Sequence, residues 1–366
     1  MKVIISGGGT GGHIFPAIAI GQEIKRRFPS AEILFIGANG RMEMEQVPKA
    51  GFEIKGLDVA GFNRTNIWKN LSMPFKLLRS LGQANSILKK FKPSIVIGVG
   101  GYASAPTLFM ANRIGIPTII QEQNSFAGKT NKILAKKAKK ICVAYDGMDK
   151  FFDQDKIVVT GNPVRADLSN IDSKKSEAIQ YFGLDPTRKT VLVMGGSLGA
   201  GTLNNTIDLN LELIEANHNI QWIWQYGKQG IVKYDAKVFK TPDNIKSMPF
   251  IERVDLAFAA ADVILCRAGA LTISEILIAQ RPAVLVPSPI VAEDHQTHNA
   301  MALVSRGAAL FVKDAVAPTK AIEAALNLLD DDDALAEMKI AQAILAKPRA
   351  AEDIVDEMLK LIPTAS

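Results

Sequence analysis

Two distant segments of the chain repeat one local pattern, in which a short apolar strand runs into a glycine-rich turn and then into a helix. The first joins Val3–Ile5 to the sequence SGGGTGGH at 6–13, and the second joins Thr190–Met194 to GGSLGA at 195–200. Glycine lets a backbone approach a ligand closely, and the N-terminus of a helix offers N–H groups to an anion. Each half of the chain therefore begins as a nucleotide-binding unit would.

Further short apolar runs alternate with helical stretches in both halves. They are Ile33–Ile36, Ile95–Val99, Thr118–Ile120 and Ile157–Val159, then Ile220–Trp224, Val263–Cys266, Ala283–Val286 and Ala309–Val312. Continuous apolar strands of this kind are typical of parallel sheets that helices cover on both faces. The pattern predicts an α/β fold with two Rossmann-like parallel-sheet domains that face a cleft, where ligands bind beyond the carboxyl ends of the strands.

The pattern pauses at Gly161–Arg165 and a polar stretch follows before the second glycine turn. A length of 366 residues also suits two domains. We expect an N-terminal domain at 1–162, a C-terminal domain at 163–340 and a helical tail at 341–366 that packs back on the N-terminal domain. The tail looks helical from Ala334 to Leu361, and the four acids Asp330–Asp333 before it suit a solvated helix start.

Composition excludes several classes of protein. Cys142 and Cys266 lie far apart and form no CxxC, which fits a reducing compartment and predicts neither a disulfide framework nor a metal cluster. The first residues lack the features of a signal peptide, and no apolar run reaches about 18 residues, so no spanning helix is expected.

Charge is distributed unevenly along the chain. The window from Val59 to Tyr145 holds fourteen Lys and Arg and a single acid, Glu122, so it carries +13. The whole chain carries +6, which leaves −7 for the rest. Such a block favours an anionic partner, either a membrane surface, a nucleic acid or a phosphorylated substrate. A nucleic acid fits less well, because aromatic residues are few and no recognition motif is present.

The segment Ile67–Arg79 mixes large apolar residues with basic charges alone, as expected of a stretch that lies in the headgroup region of an anionic membrane. A core-facing helix with a solvated back is an almost equal alternative. The residues predicted to face the membrane are Ile67, Trp68, Lys69, Phe75, Lys76 and Arg79.

His13 ends the first glycine turn, where an imidazole can point into a cleft and take a proton near neutral pH. A capping or buried histidine is the alternative, but the glycine-rich context favours a functional role. The same turn matches the GxGxxG of NAD-binding proteins. That site needs an acid at the end of the second strand, and here this strand ends in Ile36-Gly37-Ala38-Asn39, so NAD is disfavoured.

Polar residues follow other predicted strands. The triplets Gly100-Gly101-Tyr102 and Glu122-Gln123-Asn124 suit a sugar-binding rim, although each alone is also ordinary turn chemistry. In the second half, Cys266–Glu275 offers a helix N-terminus to a diphosphate and Glu275 to ribose hydroxyls. The alternative is a capping box in which Thr272 caps the helix and Glu275 lies three positions on. The polar segment Glu293–Asn299 could touch the diphosphate or the sugar.

Metal-dependent sugar transfer usually uses a DxD motif. Asp153-Gln154-Asp155 matches it literally but precedes a strand, so it is interpreted as a solvated turn. No metal or other cofactor is expected. The leaving diphosphate would then be stabilised by backbone N–H groups and by a cation, for which Arg165 is a candidate.

Taken together, these motifs resemble the MurG family, the N-acetylglucosaminyltransferases of bacterial peptidoglycan synthesis. The matching segments span nearly the whole chain in order. They are GGTGGH at 8–13, RMEMEQVPKAG at 41–51, GGYASAP at 100–106, EQN at 122–124, GNPVR at 161–165, GGSLGA at 195–200, CRAGALTISE at 266–275 and EDHQTHNA at 293–300.

The resemblance implies a GT-B fold and an inverting transfer of N-acetylglucosamine from UDP-GlcNAc to the N-acetylmuramoyl sugar of lipid I, forming lipid II. It implies a peripheral enzyme at the cytoplasmic face of the cell membrane, docked on anionic lipids. His13 would be the general base. The residues expected to contact UDP-GlcNAc are Thr10, Gly11, Gly12, Asn124, Arg165, Ser197, Ile251, Ala270, Leu271, Thr272, Ile273, Ser274, Glu275 and Gln296. Ala268 departs from the family pattern, which usually has Ser there.

Three alternatives stay open at this point. A related GT-B enzyme would glycosylate another lipid, such as a diacylglycerol, and only acceptor choice separates it. A non-hydrolysing UDP-sugar epimerase is also a two-domain α/β protein, but it would leave the basic apolar segment unexplained. A pure binding module fits least, because a histidine accompanies the paired phosphate-binding turns.

Overall fold

The computed structural model describes residues 1–59, 73–168, 170–235 and 239–362. It divides into two compact units, one formed by Met1–Arg165 with Lys347–Ser366 and the other by Ala166–Ala346. The boundaries expected from the sequence, after residues 162 and 340, lie three and six residues before these divisions.

The first unit is built on a seven-stranded sheet in which every neighbouring pair is parallel. Its strands are β1 (Lys2–Ser6), β2 (Glu32–Ala38), β3 (Glu53–Leu57), β4 (Ile95–Gly98), β5 (Thr118–Glu122), β6 (Lys140–Val143) and β7 (Ile157–Val159). The order across the sheet is β3-β2-β1-β4-β5-β6-β7, so the direction of winding reverses between β1 and β4. In sheets of this kind, ligands bind at the carboxyl ends of the strands at that reversal.

Helices cover both faces of this sheet because its strands are apolar on both sides. The helices are α1 (Gly11–Arg27), α2 (Glu43–Lys49), α3 (Met73–Phe91), α4 (Ser104–Arg113) and α5 (Lys129–Ala135). Successive side chains of a strand point to opposite faces. Accordingly, Val3 and Ile5 pack in one core with Ile20 of α1, whereas Ile4 packs in the other with Leu88 of α3.

The second unit holds a six-stranded sheet, also parallel throughout. Its strands are β8 (Lys189–Met194), β9 (Ile220–Gln225), β10 (Ile245–Met248), β11 (Val263–Cys266), β12 (Ala283–Leu285) and β13 (Leu310–Phe311). The order is β10-β9-β8-β11-β12-β13, which places the reversal between β8 and β11. Two Rossmann-like domains with parallel sheets, as the sequence predicts, are therefore confirmed.

The helices of the second unit surround this sheet. They are α6 (Lys175–Phe182), α7 (Gly201–Leu209), α8 (Leu211–Ala216), α9 (Ile231–Tyr234), α10 (Val254–Ala260), α11 (Ala270–Ala279), α12 (His295–Val304), α13 (Ala317–Leu329) and α14 (Asp332–Leu345). Val191 and Val193 of β8 share a core with Trp222 and Trp224 of β9 and with Ile322 of α13.

The end of the chain differs from the continuous helix that its composition suggests. A last helix, α15 (Ala350–Leu359), follows α14 after a break that contains Lys347 and Pro348. Proline disfavours helical backbone at the residue before it, so the break falls where the chain passes from the second unit to the first. The start of α14 is as predicted, since the Asp331 carboxylate caps it by accepting from the Ala334 N–H at 2.9 Å.

Ile354, Val355 and Met358 of α15 are fully buried in the core that contains Val3 and Ile5. The Arg27 guanidinium of α1 also pairs with the Asp356 carboxylate of α15. The C-terminal helix thus completes the first unit and belongs to its core.

Candidate functional site

The loops after β1 and β4 touch at the reversal point of the first sheet. Val99 N–H donates to the Ser6 carbonyl at 2.9 Å, and Gly8 N–H donates to the Gly100 carbonyl at 3.3 Å. A Cβ at Gly101 would lie 2.2 Å from the Gly8 carbonyl oxygen. These backbones approach so closely that only glycine fits, which brings the GGTGGH and GGY motifs together at one edge.

His13 lies in the first turn of α1, half-buried, against the loop after β4. Its Nδ1 is 3.2 Å from the Thr10 hydroxyl oxygen, and a Cβ on Gly100 would lie 2.9 Å from its Nε2. Gly100 also has a φ of +88°, which L side chains rarely adopt, so glycine is required there for two reasons. Of the predicted contacts beside His13, Thr10 is exposed and Gly11 and Gly12 are half-buried.

The three residues of the EQN triplet at the end of β5 differ in their exposure to solvent. Glu122 and Gln123 are buried, and Asn124 is half-buried. The Glu122 carboxylate accepts from the Asn124 N–H at 3.1 Å and from the Asn131 amide at 2.8 Å, which fixes the loop that carries Asn124. Burial raises the pKa of Glu122, and the hydrogen bonds it accepts act in the opposite direction. Glu122 and Gln123 therefore build the rim from below and do not line it.

Arg165 ends the first unit, where it lies near the start of α1. Its guanidinium carbon is 5.9 Å from the centroid of the Phe15 ring, a distance at which a cation is attracted to an aromatic face. Phe15 is two residues from His13 and is 41% exposed. The structure thus brings the candidate cation and the candidate base to the same helix end.

Glu43 is a site residue that sequence reasoning missed. It begins α2 and is 1% exposed, with its Oε2 accepting from the Gly9 N–H at 2.8 Å and its Oε1 accepting from the Ala38 N–H at 2.9 Å. A carboxylate does therefore stand at the end of the second strand, although the strand itself ends without one. It is turned into the protein and holds the glycine loop. The available signal was the RMEMEQVPKAG segment, which matched the family without a role being assigned to it.

The glycine loop after β8 occupies the equivalent place in the second unit. Ser197 is exposed there, and Gly196 has a φ of +84°. The buried Gln225 side chain donates to the Gly196 carbonyl at 2.8 Å and accepts from the Ile251 N–H at 3.1 Å. Gln225 is a second residue that sequence reasoning missed, and it links two of the predicted donor contacts.

The helix after β11 begins earlier than a capping box would require. Gly269 is the N-cap and α11 starts at Ala270, so Thr272 lies inside the first turn and the capping-box interpretation is wrong. Ala270 and Ile273 are buried, whereas Leu271, Thr272 and Ser274 are half-buried. Ser274 donates back to the Ala270 carbonyl at 3.0 Å.

Ala268, where the family pattern usually has Ser, is fully buried beneath this turn. Arg267 beside it is held by the Asp314 carboxylate and by the Val286 carbonyl at 2.9 Å. The turn is therefore fixed from below, and the first turn of α11 carries no acidic residue that would oppose an anion.

Glu275 belongs to α11 and Gln296 to α12, two helices that are in contact. Glu275 is 9% exposed. Burial raises the pKa of the Cys266 thiol to about 12, and the nearby Glu275 adds to this effect. Gln296 accepts from the Ser288 N–H at 2.8 Å through its side-chain oxygen, which orients its amide nitrogen as a donor.

Only part of the predicted membrane-facing segment can be described. Ile67, Trp68 and Lys69 lie outside the described residues, whereas Phe75, Lys76 and Arg79 are exposed. Phe75 and Leu78 expose 77% and 67% of their surface, and Arg79 pairs with Asp58 at 3.0 Å. Further along α3, Ser80, Ala84 and Leu88 are buried. The core-facing alternative thus describes the later turns of α3, whereas the first described turn of this helix exposes both apolar and basic side chains.

In the literal DxD, Asp153 is the N-cap of a 3₁₀ turn at Gln154–Lys156 and Asp155 lies within it; both aspartates are exposed, and the turn precedes β7, as predicted. Across the part of the chain that the structure describes, no group of three or more His, Cys, Asp or Glu has a metal-binding arrangement.

Comparisons with known proteins agree with this arrangement. The glycosyltransferase family 28 N-terminal domain matches residues 3–143, and the glycosyltransferase family 28 C-terminal domain matches residues 190–354. The UDP-N-acetylglucosamine–N-acetylmuramyl-(pentapeptide) pyrophosphoryl-undecaprenol N-acetylglucosamine transferase of Bacteroides thetaiotaomicron is 52% identical, over 99% of this chain and 98% of the relative.

Two solved structures bear on the fold. MurG of Acinetobacter baumannii superposes with a TM-score of 0.75 at 31% identity, covering 98% of this chain and 99% of that one. A UDP-GlcNAc 2-epimerase from Neisseria meningitidis has a TM-score of 0.71 but only 16% identity, over 98% of this chain and all of that one. The epimerase therefore shares the fold alone.

Proposed function

The chain belongs to the MurG transferases of glycosyltransferase family 28, and from this premise we propose how its residues move N-acetylglucosamine from UDP-GlcNAc to lipid I. The enzyme is a GT-B hexosyltransferase that forms lipid II in peptidoglycan synthesis. Attack by the acceptor hydroxyl opposite the UDP leaving group inverts the anomeric carbon. That step requires a base for the acceptor proton and stabilisation of the charge that grows on UDP.

The observation that carries this proposal is the setting of His13. Its Nδ1 lies 3.2 Å from the Thr10 hydroxyl, while its Nε2 edge borders Gly100 at the carboxyl end of β4. When Nδ1 donates its proton to Thr10, Nε2 keeps its lone pair and serves as the base. Asn124 and the Gly11-Gly12 backbone, on the same edge, position the sugars around this atom.

The donor is assigned chiefly to the second unit. The N-termini of α7 and α11 direct N–H groups toward the carboxyl edge of their sheet, and both first turns lack acidic residues. Ser197 and the Ala270–Ser274 turn hold the diphosphate, and Glu275 accepts from the ribose hydroxyls. Ile251 contacts the donor, and Gln296 donates to the diphosphate or the sugar. Arg165 is the cation that offsets the leaving charge.

The acceptor is a membrane lipid, and we place the enzyme peripherally at the cytoplasmic face of the membrane. No helix among the described residues is long and apolar enough to cross a bilayer. The exposed Phe75, Lys76 and Leu78 and the basic window around them support docking on anionic lipids.

The decisive assay is transfer of labelled GlcNAc from UDP-GlcNAc to a lipid I analogue, with and without EDTA. We expect transfer in both conditions, because the proposed stabilisation of UDP uses backbone N–H groups and arginine. Loss of transfer with EDTA would contradict the metal-free step. Transfer to a diacylglycerol in place of lipid I, or epimerisation of UDP-GlcNAc without lipid, would overturn the acceptor assignment.

His13→Ala tests the base directly. We expect a fall in kcat of roughly 10²–10⁴-fold, which is typical of the loss of a general base. Binding of UDP, measured by calorimetry, is expected to stay unchanged, since the donor is assigned to the other unit. Near-normal turnover by a folded His13→Ala protein would remove the assigned role.

A further inference from the structure

Glu43 is a buried carboxylate placed directly beneath the loop that carries Thr10 and His13. Burying a charge is costly unless it is hydrogen-bonded, and here both carboxylate oxygens accept from backbone N–H groups. One of them, the Gly9 N–H, belongs to the loop itself. The other, Ala38 N–H, belongs to β2, so the side chain ties the loop to the sheet.

The surrounding backbone leaves room for this carboxylate. A Cβ at Gly8 would lie 2.3 Å from the Glu43 Cδ, and a Cβ at Gly37 would lie 2.5 Å from its Cγ. The Glu43 side chain therefore fits only because glycine stands at Gly8, after β1, and at Gly37, near the end of β2. We therefore treat the Glu43 side chain as one of the groups that fix the conformation of the glycine loop.

The second unit uses a neutral side chain for the equivalent task. Gln225 bridges Gly196 and Ile251 with an amide, which brings no charge to the loop assigned to the diphosphate. In the first unit, the Glu43 carboxylate already occupies the anion position at the Gly9 N–H. The two glycine loops look alike in sequence, but only the loop of the second unit is suited to a phosphate at this position.

We infer that Glu43 is a positioning residue for the transfer reaction, which fixes the Gly9 amide and thereby holds the Thr10–His13 pair in place for the acceptor hydroxyl. This inference rests on the proposed function, in which His13 is the base. Glu43 itself is buried and acts only through the loop.

The test compares Glu43→Gln with Glu45→Gln, an exposed glutamate two residues along the same helix. Glutamine keeps the shape of Glu43 but has one acceptor oxygen where the loop and β2 need two. We expect kcat for lipid I to fall roughly 10–100-fold, as for a misplaced catalytic group, while the KM for UDP-GlcNAc stays within about twofold. Glu45→Gln and the wild type should keep full transfer, which tests the proposed function separately.

A spectroscopic readout does not depend on activity. The chain has four histidines, of which His13 alone lies in the first unit, so ¹H–¹⁵N spectra of labelled imidazoles can distinguish it. Glu43→Gln should shift the His13 ring signals and leave those of His218, His295 and His298 in place. Unchanged kcat with unchanged His13 signals would overturn the inference, as would parallel losses of kcat and UDP affinity. If Glu43→Gln does not fold, the shorter Glu43→Asp is judged by the same two readouts.

Discussion

The tautomer of a single imidazole decides whether the first unit can act as a base. Thr10 and His13 are three residues apart, and the hydroxyl oxygen lies 3.2 Å from Nδ1. A hydroxyl can donate or accept, so this contact permits either tautomer. The proposed role of His13 as the base requires the one in which Thr10 accepts, and the Thr10 proton is then directed to another acceptor, such as a substrate oxygen.

Thr10→Val removes the hydroxyl while keeping a branched side chain at the N-cap of α1. We expect kcat to fall roughly tenfold, because the imidazole loses the partner that favours the Nδ1–H tautomer. Thr10→Ser is the matched control and should stay close to wild type, since it keeps the oxygen. The measurement is kcat with saturating UDP-GlcNAc, and equal turnover by the Val and Ser variants would contradict the role of the hydroxyl.

The buried side chains that hold the glycine loops in place are the part of the site that the sequence predicts least well. His13 could be singled out because it ends a glycine motif that follows a strand, which is a local signal. Glu43 and Gln225 act through backbone groups 34 and 29 residues away, in contacts that exist only after the sheets form. Apart from the family match of the RMEMEQVPKAG segment that contains Glu43, nothing in their immediate neighbourhood distinguishes them from ordinary polar residues of a helix start and a strand end.

Among the elements, the central strands were the most predictable. β1, β4, β8 and β11 are continuous apolar runs, because helices bury both of their faces. β3 and β10 were missed because charged residues interrupt their apolar pattern: β3 alternates Glu53 and Lys55 with apolar residues, and β10 includes Lys246. The short β6 was missed because it begins at Lys140 within a run of lysines.

The last helix, α15, gives a prediction about how the first unit is held together. Ile354 is fully buried in the core of the first unit, so Ile354→Ala should destabilise the protein by about 2–5 kcal/mol, as for other large-to-small core changes. Ile344→Ala on α14 is the control, because that side chain is 76% exposed. Urea unfolding followed by circular dichroism measures both, and similar midpoints for the two variants would show that α15 adds little to the core.

A cluster of charges at the start of α10 predicts how stability changes with pH. Asp255 is buried and accepts from Arg253 at 2.9 Å and from Lys174 at 2.8 Å. The hydrogen bond from Arg253, together with that from Lys174, holds the pKa of Asp255 well below its usual range. A lowered folded-state pKa stabilises the protein fully above the unfolded pKa of about 3.9, and that contribution is lost as pH falls below it.

Asp255→Asn should therefore lower the free energy of unfolding by about 1–3 kcal/mol at pH 7, where a buried polar pairing is lost. The difference from wild type should shrink as pH falls below about 4, because the unfolded wild type then binds a proton at Asp255 that the folded protein, with its lowered pKa, does not bind. Glu177→Gln is the control, since the pair of Glu177 with Arg253 is exposed and should contribute little. Urea midpoints from pH 7 down to pH 3 make the comparison, and a constant difference across that range would contradict the assignment.

At the scale of the whole molecule, charge and apolar exposure coincide on one part of the chain. The +13 window from Val59 to Tyr145 contains the first described turn of α3, where Phe75, Leu77 and Leu78 are more than half exposed. The enzyme must reach a sugar attached to a membrane lipid, so a surface that favours anionic headgroups and admits apolar side chains serves that reaction. Basic residues near such a surface contribute about 1 kcal/mol each.

Phe75→Ser and Leu78→Ser should each weaken binding to vesicles of phosphatidylglycerol and phosphatidylcholine roughly tenfold, since burying such a side chain contributes about 1.5–3 kcal/mol. Val232→Ser is the matched control, because Val232 is 89% exposed but lies in the second unit. Binding is measured by co-sedimentation. It should weaken with added salt, which screens exposed charges, and it should be poor on phosphatidylcholine alone. Salt-independent binding, or equal losses for the Phe75 and Val232 variants, would mean that another surface meets the membrane.

Turnover on a short-chain, water-dispersed lipid I analogue should be the same for all three variants, because His13 and the donor site are unchanged. A defect confined to the vesicle-bound acceptor would then assign the first turn of α3 to docking and leave the chemistry to the glycine loops.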